Sequence, residues 1–480
     1  MKMERTWSLF APLAGCALLA GWIALSAAGI QAATFSLVLF GLANLIAYTD
    51  ALDLLLRLYV RRRNTATSGA TMESRHLSID LLATLPASAT PVVPIQPYAI
   101  IASVYNLENQ LDEFTEAFEP YRDRVWLISD GSTDNTLLRL RHAGWRCLDG
   151  KINRRKPGAL RYLLERLPAQ FETVMVVDPD IRIRAPGDGS VVDLERVIRD
   201  FQQSGAAAVC PRVMIEPDGF LARFQAFEYA LAFRIGRRSL ADYSITSGVS
   251  IYRRGALERV LGSKHSLSVY AEDLENAVTL LSEGERIYYD GRLVVSTEGP
   301  GQWGRWFSQR VGWYFGFLKV YVERFREIRI ISRRSPFAFY HFIIYMGGLS
   351  LALHLLKIAS VVLLIVSIAS GFDELFVSNL VPDGRWANPA YFATAIGSYL
   401  VLGLIALFTI VPKAERAYTA PIVPLYLLYA LIHVAPMSVG FLNWFAWKLR
   451  GQPVYRDHYE PRRTGEHQPI LSELQERRVW

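Results

Sequence analysis

Thr173-Val174-Met175-Val176-Val177-Asp178-Pro179-Asp180 is the stretch that decides the fold. Its unbroken apolar run has the length and β-branched content of a strand buried on both faces, as in a sheet covered by helices on either side. The run stops at two carboxylates, Asp178 and Asp180. Open α/β sheets bind their ligands just beyond the C-terminal ends of the strands. Two carboxylates there would share one hard divalent cation, Mg2+ or Mn2+, which at such sites usually also holds a substrate diphosphate.

The neighbouring sequence builds the same edge. Tyr98-Ala99-Ile100-Ile101-Ala102-Ser103-Val104 and Val125-Trp126-Leu127-Ile128 read as two more buried strands, ending at Tyr105-Asn106-Leu107-Glu108 and at Asp130. From residue 97 to about 298 such strands alternate with helical stretches, which predicts a parallel α/β sheet. Alone, Asp130-Gly131-Ser132-Thr133-Asp134 would be a turn leading into a helix cap, because Asp, Ser and Thr favour caps. One strand before Asp178, it becomes a candidate part of a site. Further on, Glu272-Asp273 is a second acidic pair, and Gln309-Arg310-Val311-Gly312-Trp313 is a polar and aromatic cluster.

At 480 residues the chain has room for one large domain or two smaller ones. Hydrophobic residues make up 51% of it, crowded at both ends around a middle third of ordinary soluble composition. The net charge of +7 would suit a nucleic acid. Much of the excess, however, flanks apolar runs, where a positive-inside bias is expected anyway, so no nucleic-acid partner is expected. Cys16, Cys147 and Cys210 are too few and too scattered for a disulfide framework or a zinc site, which suits a reducing, cytosol-facing domain. Apolar runs at 10–30 and 35–51, the second continuing to 60 and followed by Arg61, Arg62 and Arg63, predict an anchoring hairpin rather than a cleaved signal peptide.

Runs at 339–369, 391–411 and 422–447 each meet the roughly 20 residues needed to span a bilayer. Their flanking charges alternate inside, outside and inside, and a third crossing would then leave an arginine-rich tail outside. Either the last run re-enters at Pro436, or 339–369 holds an interfacial helix plus a span, or the charge bias fails here. The expected organisation is a hairpin (1–60), a linker (61–96), a catalytic domain (97–300), interfacial helices (301–335), membrane helices (336–447) and a basic cytosolic tail (448–480).

In this order the motifs resemble those of the membrane-integrated family 2 glycosyltransferases, the group of cellulose, chitin and hyaluronan synthases. The likeness covers nearly the whole chain. It implies an α/β GT-A catalytic domain combined with a multi-span α-helical transmembrane region in the bacterial inner membrane, the catalytic domain facing the cytoplasm. It implies inverting transfer from a nucleotide-diphosphate sugar, a UDP-sugar, to elongate and export a β-linked polysaccharide. The alternative is transfer of a single sugar to a polyprenyl phosphate or another lipid acceptor. By resemblance, Tyr105, Glu108 and Asp130 contact the uridine, and Lys156 of Lys156-Pro157-Gly158 reaches the diphosphate. Asp178 and Asp180 bind Mg2+ or Mn2+. Asp273 is the catalytic base with Glu272 beside it, Gln309 and Arg310 serve the donor, and Trp313 stacks on the terminal sugar of the acceptor. Ser247-Gly248 resembles the small-residue acceptor loop. Two positions depart from the pattern. Ser129 stands where an acid usually precedes Asp130, and Gly312 stands where an arginine near the diphosphate is usual. Arg310, Arg305 and Arg154 are the cations that would replace it.

The chemistry explains these residue types. A carboxylate beside a diphosphate is repelled by about 4 kcal/mol per charge pair at 4 Å and an effective dielectric of 20. A divalent cation reverses that sign, and Lys156 would add a fixed positive charge. What remains is a base for the acceptor hydroxyl. Trp306, Gln309, Arg310 and Trp313 recur at i, i+3, i+4 and i+7, one face of a helix. The aromatic run through Phe317, Tyr321 and Phe325, with arginines between, suits an interfacial helix. His354 and Lys357, inside an apolar run, are candidates to line a polar passage.

Overall fold

Eight strands form one sheet in the order β3-β2-β1-β4-β7-β6-β8-β5. They are β1 (Tyr98–Val104), β2 (Val125–Ser129), β3 (Cys147–Asp149), β4 (Thr173–Val176), β5 (Arg182–Ile183), β6 (Ala208–Glu216), β7 (Ser250–Arg253) and β8 (Ile287–Glu298). The computed structural model describes residues 49–60, 94–184, 193–262, 271–352, 354 and 389–450. The three strands read from the sequence are β1, β2 and β4, and their side chains alternate as a pleat requires. Tyr98, Ile100, Ala102 and Val104 enter the core on one face of the sheet, and Ala99 and Ile101 enter the core on the other. Burying each isoleucine or valine is worth about 1.5–3 kcal/mol, so the centre of this sheet is where the fold is most strongly specified.

The expectation of a parallel sheet needs correction. β1 pairs parallel with β2 and β4, β2 with β3, and β6 with β8. β7, however, runs antiparallel between β4 and β6, and β5 runs antiparallel to β8. An apolar run reports burial on both faces but carries no information about direction. The reversal has a consequence for the site. Ser250, the first residue of β7, pairs with Val176 at the end of β4, so the loop entering β7 lies beside Asp178.

Helices cover both faces. The Arg155–Leu164 helix buries Ala159, Leu160, Leu163 and Leu164 against one face. On the other, the Leu194–Ser204 helix is capped by Asp193, whose carboxylate accepts the Arg196 N–H at 2.8 Å, and ends at Gly205 with φ 68°. The Phe220–Leu231 helix continues through a π-helical turn, Ala232–Arg237, to Leu240. The 21-residue Trp303–Glu323 helix packs along Val434–Arg450. They meet at Gly440, where a Cβ would lie 2.8 Å from the Val311 carbonyl oxygen.

A buried ion pair joins the helical parts to the sheet, and another braces helix against helix. Arg212 of β6 pairs with Glu415, both almost fully buried. Arg57 pairs with Asp53 at 2.7 Å and also donates to Ser239 Oγ at 3.1 Å. Among the described residues, Lys413–Leu449 is long and apolar enough to cross a membrane by length and composition, while Pro336–Leu351 and Gly397–Thr409 are apolar but shorter. The long stretch is interrupted at His433, between the Tyr426–Ile432 and Val434–Arg450 helices and three residues before Pro436. The 10–30 run, most of the 35–51 run, the linker as far as residue 93, Lys357 and the tail beyond residue 450 lie outside the described residues.

Candidate functional site

β4 delivers Asp178 to the sheet edge, and Lys156, from the first turn of the Arg155–Leu164 helix, meets it there. Lys156 Nζ lies 2.6 Å from Asp178 Oδ1 and 3.0 Å from Glu272 Oε1. The three side chains keep between 23% and 33% of their surface open, so the cluster is accessible to a ligand. Burial works against the Lys156 ammonium, but Asp178 and Glu272 outweigh it and hold its pKa above the ordinary value. Burial pushes the Asp178 carboxyl up to about 6; Lys156 opposes this and Asp180 adds to it.

The loop into β7 closes the other side. At Gly248 an added Cβ would collide with Asp178 Oδ2 and sit 3.6 Å from Lys156 Nζ. Ser247 Oγ donates to the Val249 carbonyl at 2.6 Å, its N–H donates to Ser250 Oγ at 3.1 Å, and Cys210 Sγ is 3.5 Å away. Asp273 is fixed through its main chain, whose carbonyl accepts from Thr246 Oγ1 at 2.6 Å. One carboxylate oxygen accepts the Leu274 N–H at 2.8 Å. Burial, then repulsion by Glu272, raises the Asp273 pKa, against the pull of Arg237 and Lys156. Lys156, Ser247, Gly248, Glu272 and Asp273, with Tyr252 and Asn276, line an open cavity together with Leu160, Val176 and Leu257.

Asp180 is exposed and accepts from Thr297 Oγ1 of β8 at 2.5 Å. Two strands away, at the end of β2, Asp130 is 2% exposed and accepts the Arg154 N–H at 2.7 Å; burial pushes its carboxyl up to about 6 against that bond. Tyr105 is half-buried on the loop after β1. The Glu108 carboxylate holds Asn135, accepting its amide at 2.8 Å and its N–H at 3.2 Å, and so links the first two edge loops.

Gln309, Arg310 and Trp313 form a separate cluster. Arg310 is 3% exposed, pairs with Glu228 at 2.9 Å and lies 4.3 Å from the centre of the Trp313 ring. Glu228 also accepts from Tyr429 Oη at 2.8 Å, and Tyr429 accepts the Trp306 indole N–H at 3.0 Å. Arg310 is thus engaged by Glu228, not by the Asp178 cluster. Arg154 is engaged by the Gly150 and Ile152 carbonyls and stacks 4.2 Å from the Tyr162 ring centre. Trp313 is 37% exposed, and Gln309 Oε1 is buried without a hydrogen-bond partner.

No family model and no curated protein matches this chain. Solved structures do. The mannosyltransferase PcManGT from Pyrobaculum calidifontis, solved with GDP-Man and Mn2+, matches with a TM-score of 0.50 at 17% identity, over 83% of this chain and 99% of that one. The chain has a GT-A glycosyltransferase fold. Glucosyl-3-phosphoglycerate synthase from Mycobacterium tuberculosis, solved with phosphoglyceric acid, matches with a TM-score of 0.26 at 15% identity, over 44% of this chain and 78% of that one. GalNAc-T7, solved with UDP, GalNAc and Mn2+, gives 0.32 at 10% identity, over 44% and 45% of the two chains.

Two residues that line or support the cavity had no signal in the sequence. Thr246 and Tyr252 arrive from segments whose neighbours are set by the sheet order. Asn276 was within reach of sequence reading, since it lies one helical turn after Asp273. The tight packing at Gly248 gives the first prediction. Gly248→Ala should displace Asp178 from Lys156, with an overpacking cost of about 1–3 kcal/mol at the site. Affinity for a nucleoside diphosphate with Mn2+, read by calorimetry, should fall about tenfold or more, with Tm lowered by a few degrees at most. Unchanged affinity would show that Asp178 has room to move.

Proposed function

We propose that this protein is an inverting membrane glycosyltransferase that takes a sugar from a nucleotide-diphosphate sugar, a UDP-sugar, and elongates a β-linked polysaccharide. The observation that carries the proposal is Lys156 Nζ bridging Asp178 and Glu272 at 2.6 and 3.0 Å, with Asp273 next in the same open cavity. An ammonium has three donors, so Lys156 can keep both carboxylates and still offer a proton to a phosphate oxygen.

The donor set suits a divalent cation. Asp178 and Asp180 supply only hard oxygen ligands, and among the described residues no three His, Cys, Asp or Glu side chains gather into a cation site of their own. Mg2+ and Mn2+ sites with two carboxylates are typically completed by substrate phosphates. Such a cation, held by Asp178 and Asp180, would neutralise the diphosphate as the glycosidic bond breaks. Asp273 then takes the proton of the acceptor hydroxyl, and the acceptor oxygen attacks the face opposite the departing diphosphate, which inverts the anomeric centre.

Chain elongation at the inner membrane is supported by exposed Trp313 on the Trp303–Glu323 helix and by the apolar Lys413–Leu449 stretch packed beside it. Transfer of one sugar to a lipid is the second reading. It is favoured by Gly312 and by the engagement of Arg310 with Glu228, which holds Arg310 away from the Asp178 cluster. Full-length protein in nanodiscs, with Mn2+ or Mg2+ and a panel of radiolabelled nucleotide sugars, separates the two. A long glycosidase-digestible product is expected; a short product extractable into organic solvent would mean single transfer, and no turnover of any donor would remove both readings.

A further inference from the structure

The turn that carries Asp178 and Asp180 is held at both ends. The Asp178 carbonyl accepts the Ile181 N–H at 3.2 Å, and Pro179 sits at the turn position that proline presets. β5 then runs antiparallel along β8, with Arg182 opposite Ser296 and Ile183 opposite Val295, and the Arg184 N–H reaches the Val294 carbonyl at 3.0 Å. β8 is itself paired with β6, where Thr297 stands opposite Ile215. The backbone at Asp180 is therefore fixed, but an exposed aspartate side chain still has its own rotations to lose.

Thr297 takes those rotations away. Its hydroxyl donates to Asp180 Oδ2 at 2.5 Å, the length of a hydrogen bond to an ionised oxygen. Among the described residues it is the one hydrogen-bond partner of that carboxylate, so Oδ1 is left for another ligand.

The neutrality of this donor matters as much as its position. An ammonium or guanidinium there would hold the carboxylate equally well but would compete with a divalent cation for its charge. The cations close by in the chain are engaged elsewhere. Arg182 pairs with Glu113 at 3.1 Å and Glu298 at 3.4 Å, and Lys156 pairs with Asp178 and Glu272. The two acids of the turn are thus held differently, Asp178 by a charge and Asp180 by a hydroxyl.

We propose that Thr297 is a positioning residue for the divalent cation, fixing the Asp180 carboxylate through Oδ2 so that its other oxygen can ligate. The assignment rests on the cation site proposed above for Asp178 and Asp180. Hydrogen bonds that orient ligating carboxylates typically account for about 10–100-fold in metal affinity.

Thr297→Val, Thr297→Ser and Thr297→Ala, each as full-length protein in nanodiscs, test this by titration with Mn2+, alone and with UDP or GDP, reading free Mn2+ by electron paramagnetic resonance. Valine keeps the β-branched shape that suits a strand and removes only the hydroxyl. Thr297→Val should weaken Mn2+ binding about 10–100-fold, while Thr297→Ser should stay within about threefold of the wild type. In turnover assays the Mn2+ concentration for half-maximal rate should rise by the same factor in Thr297→Val, with kcat at saturating Mn2+ nearly unchanged. Thr297→Ala serves if the valine variant does not fold. A folded variant without the hydroxyl that binds Mn2+ as the wild type does overturns the proposal. So does an equal loss in Thr297→Ser, which would make the effect one of packing, and so does a wild type that binds no Mn2+ under any of these conditions. A wild type that binds Mn2+ in a Thr297-dependent way but turns over no sugar nucleotide would support the proposal and overturn the transferase reading instead.

Discussion

Asp273→Asn should lower sugar-nucleotide turnover by about 10²–10⁴-fold, the range expected when a positioned general base is removed, while donor affinity stays within about twofold. The asparagine keeps the shape of the side chain and a carbonyl oxygen to accept the Leu274 N–H, which Asp273 Oδ1 now accepts at 2.8 Å. The main-chain bond from Thr246 is untouched. The loss should therefore fall on the chemical step and not on folding, and kcat should drop with KM for the donor nearly constant. In the wild type, burial and Glu272 raise the Asp273 pKa. Turnover requires the deprotonated form, so activity should fall as pH drops through a value above the ordinary 3.8 of an aspartate. That limb should vanish in the asparagine variant. A variant with wild-type turnover would remove Asp273 from the mechanism.

The second large effect is expected at Lys156. Lys156→Met keeps most of the side-chain volume but leaves Asp178 and Glu272 facing each other with no cation between them. Like charges 4–6 Å apart repel by about 3–4 kcal/mol at an effective dielectric of 20. The cluster is partly open to solvent, and screening reduces that to about 2 kcal/mol. A further loss comes from the missing donor to the phosphate. Affinity for a nucleoside diphosphate with Mn2+ should fall about 30-fold or more by calorimetry, and Lys156→Arg should recover part of it. Full affinity in Lys156→Met would mean that the lysine only spaces the two acids.

The two variants probe residues with very different standing in the sequence. Asp178 was legible because a five-residue apolar run ends on it, and period and composition report burial directly. The same holds for β1 and β2, whose ends carry Tyr105 and Asp130. Glu272-Asp273 and Gln309 to Trp313 were legible only through their order relative to Asp178, and the partners they take are set by packing. Glu272 is a partner of Lys156. Arg310 is the partner of Glu228 and the platform beneath Trp313.

By itself, the sequence determined which strands are buried, that three of them end on polar groups, and that apolar helices accompany the sheet. These are local properties, written in the periodicity and composition of single segments. Only the tertiary structure decided that β7 runs backwards beside β4 and so brings Gly248 against Asp178. It also decided that Glu228 takes Arg310. Strand direction and ion-pair choice depend on which distant segments become neighbours. That is fixed by packing energy summed over the whole sheet, and no single stretch of residues encodes it.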